Sequence, residues 1–430
     1  MKKQIGIIAD DLTGANDSGV QLTKKGIKTS VLFDIPLEWN NVDGGLVIDT
    51  NSRALAIQDA ITLTEQAGLF LKKAGYSAIY KKMDSTLRGY IGTELQTLYD
   101  IFKPEFVFIA PAFPSLGRTT KAGIHYVNGV KLADTEISKD PKHPVTNSSI
   151  PALLEAETGR KVGLLKQADI YSDTTIFENK INAFKENGIY YIVCDAETQD
   201  DLREAAVKMN AVSNRIIWAG SAGLAEVIPD VLQISKRAQE QASLNCKHVM
   251  TVCGSLSQVT QSQVQFAANQ PNITVVELDP MQIFSDEWKI VQQDYMQRCL
   301  GGFDKGNDVV LYVPSNEEVR EKVKEIGTNL NLTGYQIGER ISGAIGEVVE
   351  KVSQKNYDLT GFVLTGGDTA KDTSRHLDGI GFQLIKEVES GIPYGRLIGT
   401  NKEYMVVTKA GAFGKEDSIY KAMMMLKGVL

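Results

Sequence analysis

Short apolar runs without polar alternation recur along this chain, and each ends abruptly in a charged or glycine-rich stretch. The first, Ile5-Gly6-Ile7-Ile8-Ala9, stops at two adjacent carboxylates, Asp10 and Asp11. Such a run suits a strand covered on both faces, as in a parallel sheet, and parallel strands need crossover connections between them. Amphipathic stretches fill those gaps. Further strands are expected at 29–33, 45–49, 77–80, 105–110, 161–165, 190–194 and 216–218, with helices at 17–26, 54–74 and from Gly89 to Phe102. In the 54–74 helix, Ile57, Ile61, Leu63 and Leu71 are the expected core positions, and Gly75 is its stop.

The same grammar returns later. Strands are expected at 248–253, 273–278, 309–313, 361–364 and 404–407, with helices ending at Asn269 and spanning 317–330 and 338–355. A chain of 430 residues exceeds one ordinary core. The polar stretch 235–245 (SKRAQEQASLN) reads as a linker between domains at 1–238 and 246–430. The expected fold is α/β, with two domains, each a mostly parallel β-sheet flanked by helices, and an active site in the cleft between them.

The rhythm breaks at 112–151, which is longer than ordinary connections in such folds. Inside it, Asn128-Gly129 joins two short apolar-alternating arms, a type I′ hairpin signal. A long excursion at a strand end reads as a lid or partner-contacting insert, and the hairpin is the candidate contact of a homodimer.

Net charge of −7 and a pI near 5.4 argue against a nucleic-acid surface, so an anionic ligand must be held by local groups. Four cysteines without a C-x-x-C pair and four histidines without ligand spacing argue against an all-protein transition-metal site and a disulfide framework. No apolar run approaches the ~20 residues of a membrane span, and the first run is cut too early for a signal sequence. The expected location is the cytoplasm.

Chemistry concentrates where strands end. In the second half the strand ends are Gly254-Ser255-Leu256-Ser257, Thr365-Gly366-Gly367-Asp368-Thr369 and Lys409-Ala410-Gly411-Ala412-Phe413-Gly414. Glycine lets backbone N–H groups approach phosphate, and a helix starting there adds its positive end. Each loop alone could be a tight turn, with Asp368 or Thr369 capping a helix; together they read as a nucleotide-phosphate cradle. Neither G-x-x-x-x-G-K-[ST] nor G-x-G-x-x-G occurs.

In the first half the strand ends carry Asp10, Asp11, Arg53, Lys82, Asp84, Ser85 and Arg88. Arg53 with Lys82 or Arg88 suits a carboxylate, and aspartates suit sugar hydroxyls or a general base. The plainer readings are Asp10 or Asp17 as a helix cap, Arg88 in a surface ion pair with Glu94 or an adjacent acid, and Lys81 on a solvated face. One domain reads as built for a small polyhydroxy acid and the other for a nucleotide.

The blocks IADDLTGANDSG, KKMDSTLRG, PAFPSLGRTTKAGIHYVNGVKL, TGGDTA and KAGAFG together resemble the four-carbon acid sugar kinases, from end to end. The resemblance implies ATP-dependent phosphorylation of the terminal hydroxyl of a tetronate: D-threonate, with D-erythronate or a 3-dehydro/2-oxo-tetronate as alternatives; in the expected mechanism Mg²⁺ and the glycine-loop amides stabilise charge on the phosphoryl oxygens. It implies sugar-acid contacts from Asp11, Arg53 and the loop Lys82, Met83, Asp84 and Ser85. Nucleotide contacts are implied from Ser255, from Gly366, Gly367, Asp368 and Thr369, and from Gly411. The base would be Asp10, Asp11 or Asp84. The oxo-tetronate branch reads lysine-serine-glycine-asparagine where this chain has Lys409-Ala410-Gly411-Ala412, which leans toward the threonate or erythronate branch. The rivals are an NAD(P)-dependent sugar-acid dehydrogenase, which would need a glycine fingerprint where DDLTG stands, and a non-catalytic sugar-acid sensor.

Overall fold

A computed structural model of the chain describes residues 4–36, 44–140, 143–234 and 245–430. It divides into two compact units, residues 1–239 and 240–430. Apart from Asn245, the expected linker at 235–245 lies outside the described residues.

The first unit is built on eight strands: β1 (Ile5–Ala9), β2 (Thr29–Leu32), β3 (Gly45–Asp49), β4 (Ala78–Lys82), β5 (Phe106–Ala110) and, beyond the insert, β9 (Val162–Leu165), β10 (Tyr191–Cys194) and β11 (Ile216–Gly220). Between them the insert forms β6 (Arg118–Lys121), β7 (Ile124–Val127) and β8 (Val130–Lys131). The main sheet runs β2-β3-β1-β4-β11-β5-β10-β9, and every adjacent pair is parallel. β1, β3, β4, β5, β10 and β11 are buried at every residue, and in β1, β5, β10 and β11 that burial explains an unbroken apolar run. With β1 flanked by β3 and β4, the chain leaving these three strands emerges at one edge, where β1's connection departs one way and β4's the other.

Helix α1 (Leu12–Lys24) begins five residues earlier than expected, because Asp11 caps it: its carboxylate accepts a 3.0 Å bond from the Gly14 N–H. The cap is thus neither Asp10 nor Asp17. Helix α2 (Ile57–Lys73) buries Leu71 as expected, but its other buried positions are Ala60, Thr64, Ala67 and Gly68; Ile61 and Leu63 are half-buried and Ile57 is 48 % exposed. Small residues win that face because α3 (Ile91–Phe102) lies close: a Cβ on Gly68 would sit 2.8 Å from Ile101 and 3.0 Å from Leu98. On β1, Gly6 likewise leaves room for Leu71.

Strand β4 is longer than expected and carries Lys81 and Lys82 inside the sheet. The predicted hairpin is present, with Asn128 (φ 50°) and Gly129 (φ 80°) both left-handed between β7 and β8. The insert is completed by α4 (Ile150–Thr158), packed on α3.

The second unit has β12 (His248–Cys253), β13 (Ile273–Glu277), β14 (Asp308–Tyr312), β15 (Leu359–Thr365), β16 (Gly381–Glu389), β17 (Ile392–Ile398) and β18 (Met405–Lys409). Their order is β13-β14-β12-β15-β18-β17-β16. The first five are parallel, and the β16–β17 hairpin adds two antiparallel strands that the sequence reading lacked. Among the described residues no helix is long and apolar enough to cross a membrane.

Candidate functional site

In the first unit, the edge formed by the ends of β1, β3 and β4 gathers the charged residues singled out in the sequence. Arg53 follows β3 on a short 3₁₀ turn entered through Asn51, which sits at φ 49° with its N–H held by Asp49. Its guanidinium faces both carboxylates at the end of β1. Nε and Nη2 donate to Asp10 at 2.8 and 2.9 Å; Nη1 and Nη2 donate to Asp11 at 3.2 and 3.1 Å. Four of its five N–H groups are engaged, and one Nη1 hydrogen stays available to a ligand.

Asp84 accepts from Arg88 Nε at 2.6 Å and from Thr86 Oγ1 at 2.5 Å. Burial alone would raise its pKa, but the charge of Arg53 and the bonds from Arg88 and Thr86 outweigh that and hold it well below the usual carboxylate range. Asp10 is also depressed: burial opposes ionisation, and Arg53, Lys81 and Lys82 overcome it. Arg88 reaches Asp140 of the insert at 3.3 Å as well. Its partners are therefore Asp84 and Asp140, and not Glu94.

Lys82 is 4 % exposed; its ammonium donates to the Met83 carbonyl at 2.8 Å. A Cβ on Gly14 would fall 2.6 Å from Asp11 Oδ1 and 2.8 Å from Lys82 Nζ, so only glycine leaves these two groups facing one another. Met83 packs its side chain into the core and offers the site only its backbone. The loop after it turns sharply, with Leu87 at φ 59° and Gly89 at φ +100°. Lys81 does not lie on a solvated face. It is 1 % exposed and pairs with Glu94 at 2.9 Å, because β4 runs on through both lysines and alternation turns Lys81 inward.

The insert, expected as a lid or a partner-contacting element, fastens this loop. His125 Nε2 lies 2.8 Å from the Ser85 carbonyl and Nδ1 lies 3.0 Å from Thr120 Oγ1. A carbonyl only accepts, so the proton is on Nε2 and Thr120 donates to Nδ1. Burial pulls this imidazole down to about 4, which keeps it neutral. His143 Nε2 donates in the same way to the Arg53 carbonyl at 2.6 Å. Nothing in the sequence pattern indicated these two ties or the one from Asp140 to Arg88.

In the second unit, a cavity of about 450 Å³ is lined on one side by Ser255 and by Gly366, Gly367, Asp368 and Thr369. The helix Gly367–His376 starts there, with Gly366 at φ 92° as its cap, so its first N–H groups and positive end border the cavity. The other side is apolar, with Val313, Pro314, Val319, Val323, Ile337 and Ile341, and bears Arg320 and Lys324. Val313 and Pro314 follow β14, and the rest of this wall comes from the helices Glu317–Asn329 and Gly334–Lys355, the second starting four residues before the expected 338.

Gly411 is absent from that lining. It lies behind Ser255 instead, where a Cβ would come 2.1 Å from Ser255 Oγ. Lys409 is turned into its own loop, donating to the carbonyls of Ala410, Gly411 and Phe413 at 2.9, 3.2 and 3.0 Å. Desolvation lowers its pKa to about 8. The third glycine loop therefore braces the first.

Comparison with known proteins finds a separate family model on each part of the chain. The family models described as "Sugar-binding N-terminal domain" and "Nucleotide-binding C-terminal domain" match residues 5–228 and 250–419. A D-threonate kinase of Salmonella typhimurium is 30% identical over 97% of both chains. A D-erythronate kinase of Heliobacterium modesticaldum is 28% identical over 96% of this chain and 94% of its own. A solved structure of a Haemophilus influenzae protein superposes with a TM-score of 0.79 at 25% identity, covering 98% of this chain and 100% of that one. Matched by both domain models and by a relative over 97% of its length, this chain belongs to the four-carbon acid sugar kinase family.

Proposed function

We propose that this kinase transfers the γ-phosphoryl group of ATP to the terminal C4 hydroxyl of a four-carbon sugar acid, with D-threonate as the first choice. The observation that carries the reading is the rim of the first unit, where Asp10, Asp11 and Asp84 are interleaved with Arg53, Lys82 and Arg88. Cations suit the substrate carboxylate and carboxylates suit its hydroxyls. In this reading residues 1–238, with the insert 112–151, take the sugar acid, and residues 246–430 take the nucleotide.

Of the three aspartates, Asp11 is the one we assign as general base. Its side chain is 29 % exposed, against 3 % for Asp10 and 12 % for Asp84. Asp11 accepts the C4 proton as the oxygen attacks phosphorus in line, while Arg53 fixes the carboxylate's orientation. Lys82, Ser85 and Arg88 position the acid end, together with the Met83 backbone.

The apolar half of the 450 Å³ cavity suits a nucleobase, and Ser255 with Gly366–Thr369 suits the phosphates. Among the described residues no three histidines, cysteines or carboxylates gather as a metal cage. Asp368, the acid lining that cavity, fits a Mg²⁺ ion held mainly by nucleotide phosphates, where it would neutralise phosphoryl charge. Ala410 and Ala412 in the third loop favour threonate or erythronate over the 3-oxo acid, and mark lineage rather than reading the substrate.

A thermal-shift series tests the ligand assignment. ATP with Mg²⁺ should stabilise the protein while NAD and NADP leave it unchanged; stabilisation by a dinucleotide alone would overturn the reading.

A further inference from the structure

Beneath the charged rim lies an ion pair that the proposed chemistry does not use. Lys81 Nζ and Glu94 Oε2 are 2.9 Å apart, with side chains 1 % and 3 % exposed. The pair joins three segments. Glu94 comes from the first turn of α3, Lys81 from β4, and Glu94 also accepts the Ser52 hydroxyl at the exit of β3. Ser52 immediately precedes Arg53. Lys81 in turn donates to the carbonyl of Lys82 at 3.2 Å. The neighbouring Thr50 hydroxyl donates 2.9 Å to the Ala9 carbonyl, so the end of β1 is bound into the same cluster.

Removing two charges from water is costly, and apolar pairs of similar volume often replace buried ion pairs with no loss of stability. The contribution of this one is therefore geometric. We infer that Lys81 and Glu94 are positioning residues of the acceptor half: they hold the Ser52–Arg53 turn and the Lys82 backbone in the arrangement that sets Arg53 against Asp10 and Asp11. Without the pair, both loops keep their sequence and lose their common anchor. The inference deepens the proposed function and rests on the first unit being the acceptor side.

The experiment compares wild type with Lys81→Met/Glu94→Leu, which fills the site with apolar groups, and with Ser52→Ala, which removes only the tie to Glu94. Steady-state kinetics on a tetronate are read beside hydrogen exchange of segments 50–54 and 82–88. The double variant should keep a Tm close to wild type, while the tetronate KM rises at least tenfold and the ATP KM stays within twofold. Ser52→Ala should raise the tetronate KM several-fold. Amides of both segments should exchange faster in both variants, with β13 unchanged. If the double variant does not fold, Ser52→Ala decides the matter by the same two readouts. Unchanged exchange in the two segments overturns the inference, as does an unchanged tetronate KM. A wild type inactive on every tetronate would fail the kinase reading instead, and exchange would still decide the positioning role.

Discussion

Arg53 and Asp10 are joined by two parallel hydrogen bonds, Nε to Oδ2 at 2.8 Å and Nη2 to Oδ1 at 2.9 Å, and the same guanidinium reaches Asp11. The arginine expected to clamp a substrate is thus first the counter-ion of the two carboxylates that end β1. Replacing it with alanine leaves Asp10, 3 % exposed, as an uncompensated buried charge. Arg53→Ala should cost about 3–5 kcal/mol of stability by urea unfolding and raise the tetronate KM. A loss below 1 kcal/mol with unchanged KM would remove it from both roles.

Asp11→Asn keeps shape and can keep one polar atom toward Gly14, so folding should survive. Turnover should fall by about 10²–10⁴ while ATP affinity stays within a few-fold. Activity within a few-fold of wild type would exclude Asp11 as the base.

Acid should weaken the insert's grip. Burial lowers the folded pKa of His125 from 6.5 to about 4, with Asp84 opposing and Arg118 reinforcing that shift. Between those values the unfolded chain binds the proton and the folded chain does not, so stability is full above 6.5 and falls toward pH 4. The loss reaches up to about 3 kcal/mol. Asp84, depressed in the fold, adds a further loss only as pH drops below its ordinary 3.8. Urea unfolding from pH 7.5 to 5 should be steeper for wild type than for His125→Gln, which keeps a donor toward Ser85 without titrating. Parallel curves would contradict the assignment.

The left-handed Gly366 opens the helix at the nucleotide cavity, and a side chain there is strained at φ +92°. Gly366→Ala should raise the ATP KM at least tenfold and leave the tetronate KM within twofold, by two-substrate kinetics. Equal effects on both would point to global destabilisation.

The sheets were legible because fully buried parallel strands are unbroken apolar runs, as at 5–9, 106–110 and 191–194. Charged and glycine-rich strand ends were legible for the same reason: they interrupt those runs. Burial of charge was not. Lys81 reads as a surface residue until β4 is seen to continue through it and Glu94 to meet it from α3. The face of α2 was read correctly at Leu71 and missed elsewhere, because close helix packing selects Ala60, Ala67 and Gly68 over larger apolar side chains. The ties from His125, Asp140 and His143 span tens of residues and leave no local pattern. The β16–β17 hairpin, mixed in polarity and only partly buried, gave no apolar run to read.

The most direct test is coupled ADP release by the purified protein with ATP and Mg²⁺ over D-threonate, D-erythronate, 3-oxo-tetronate and a set of pentonates. ADP formation with D-threonate, the product carrying phosphate on C4, is the predicted result. No ADP above background with any four-carbon acid would contradict the account.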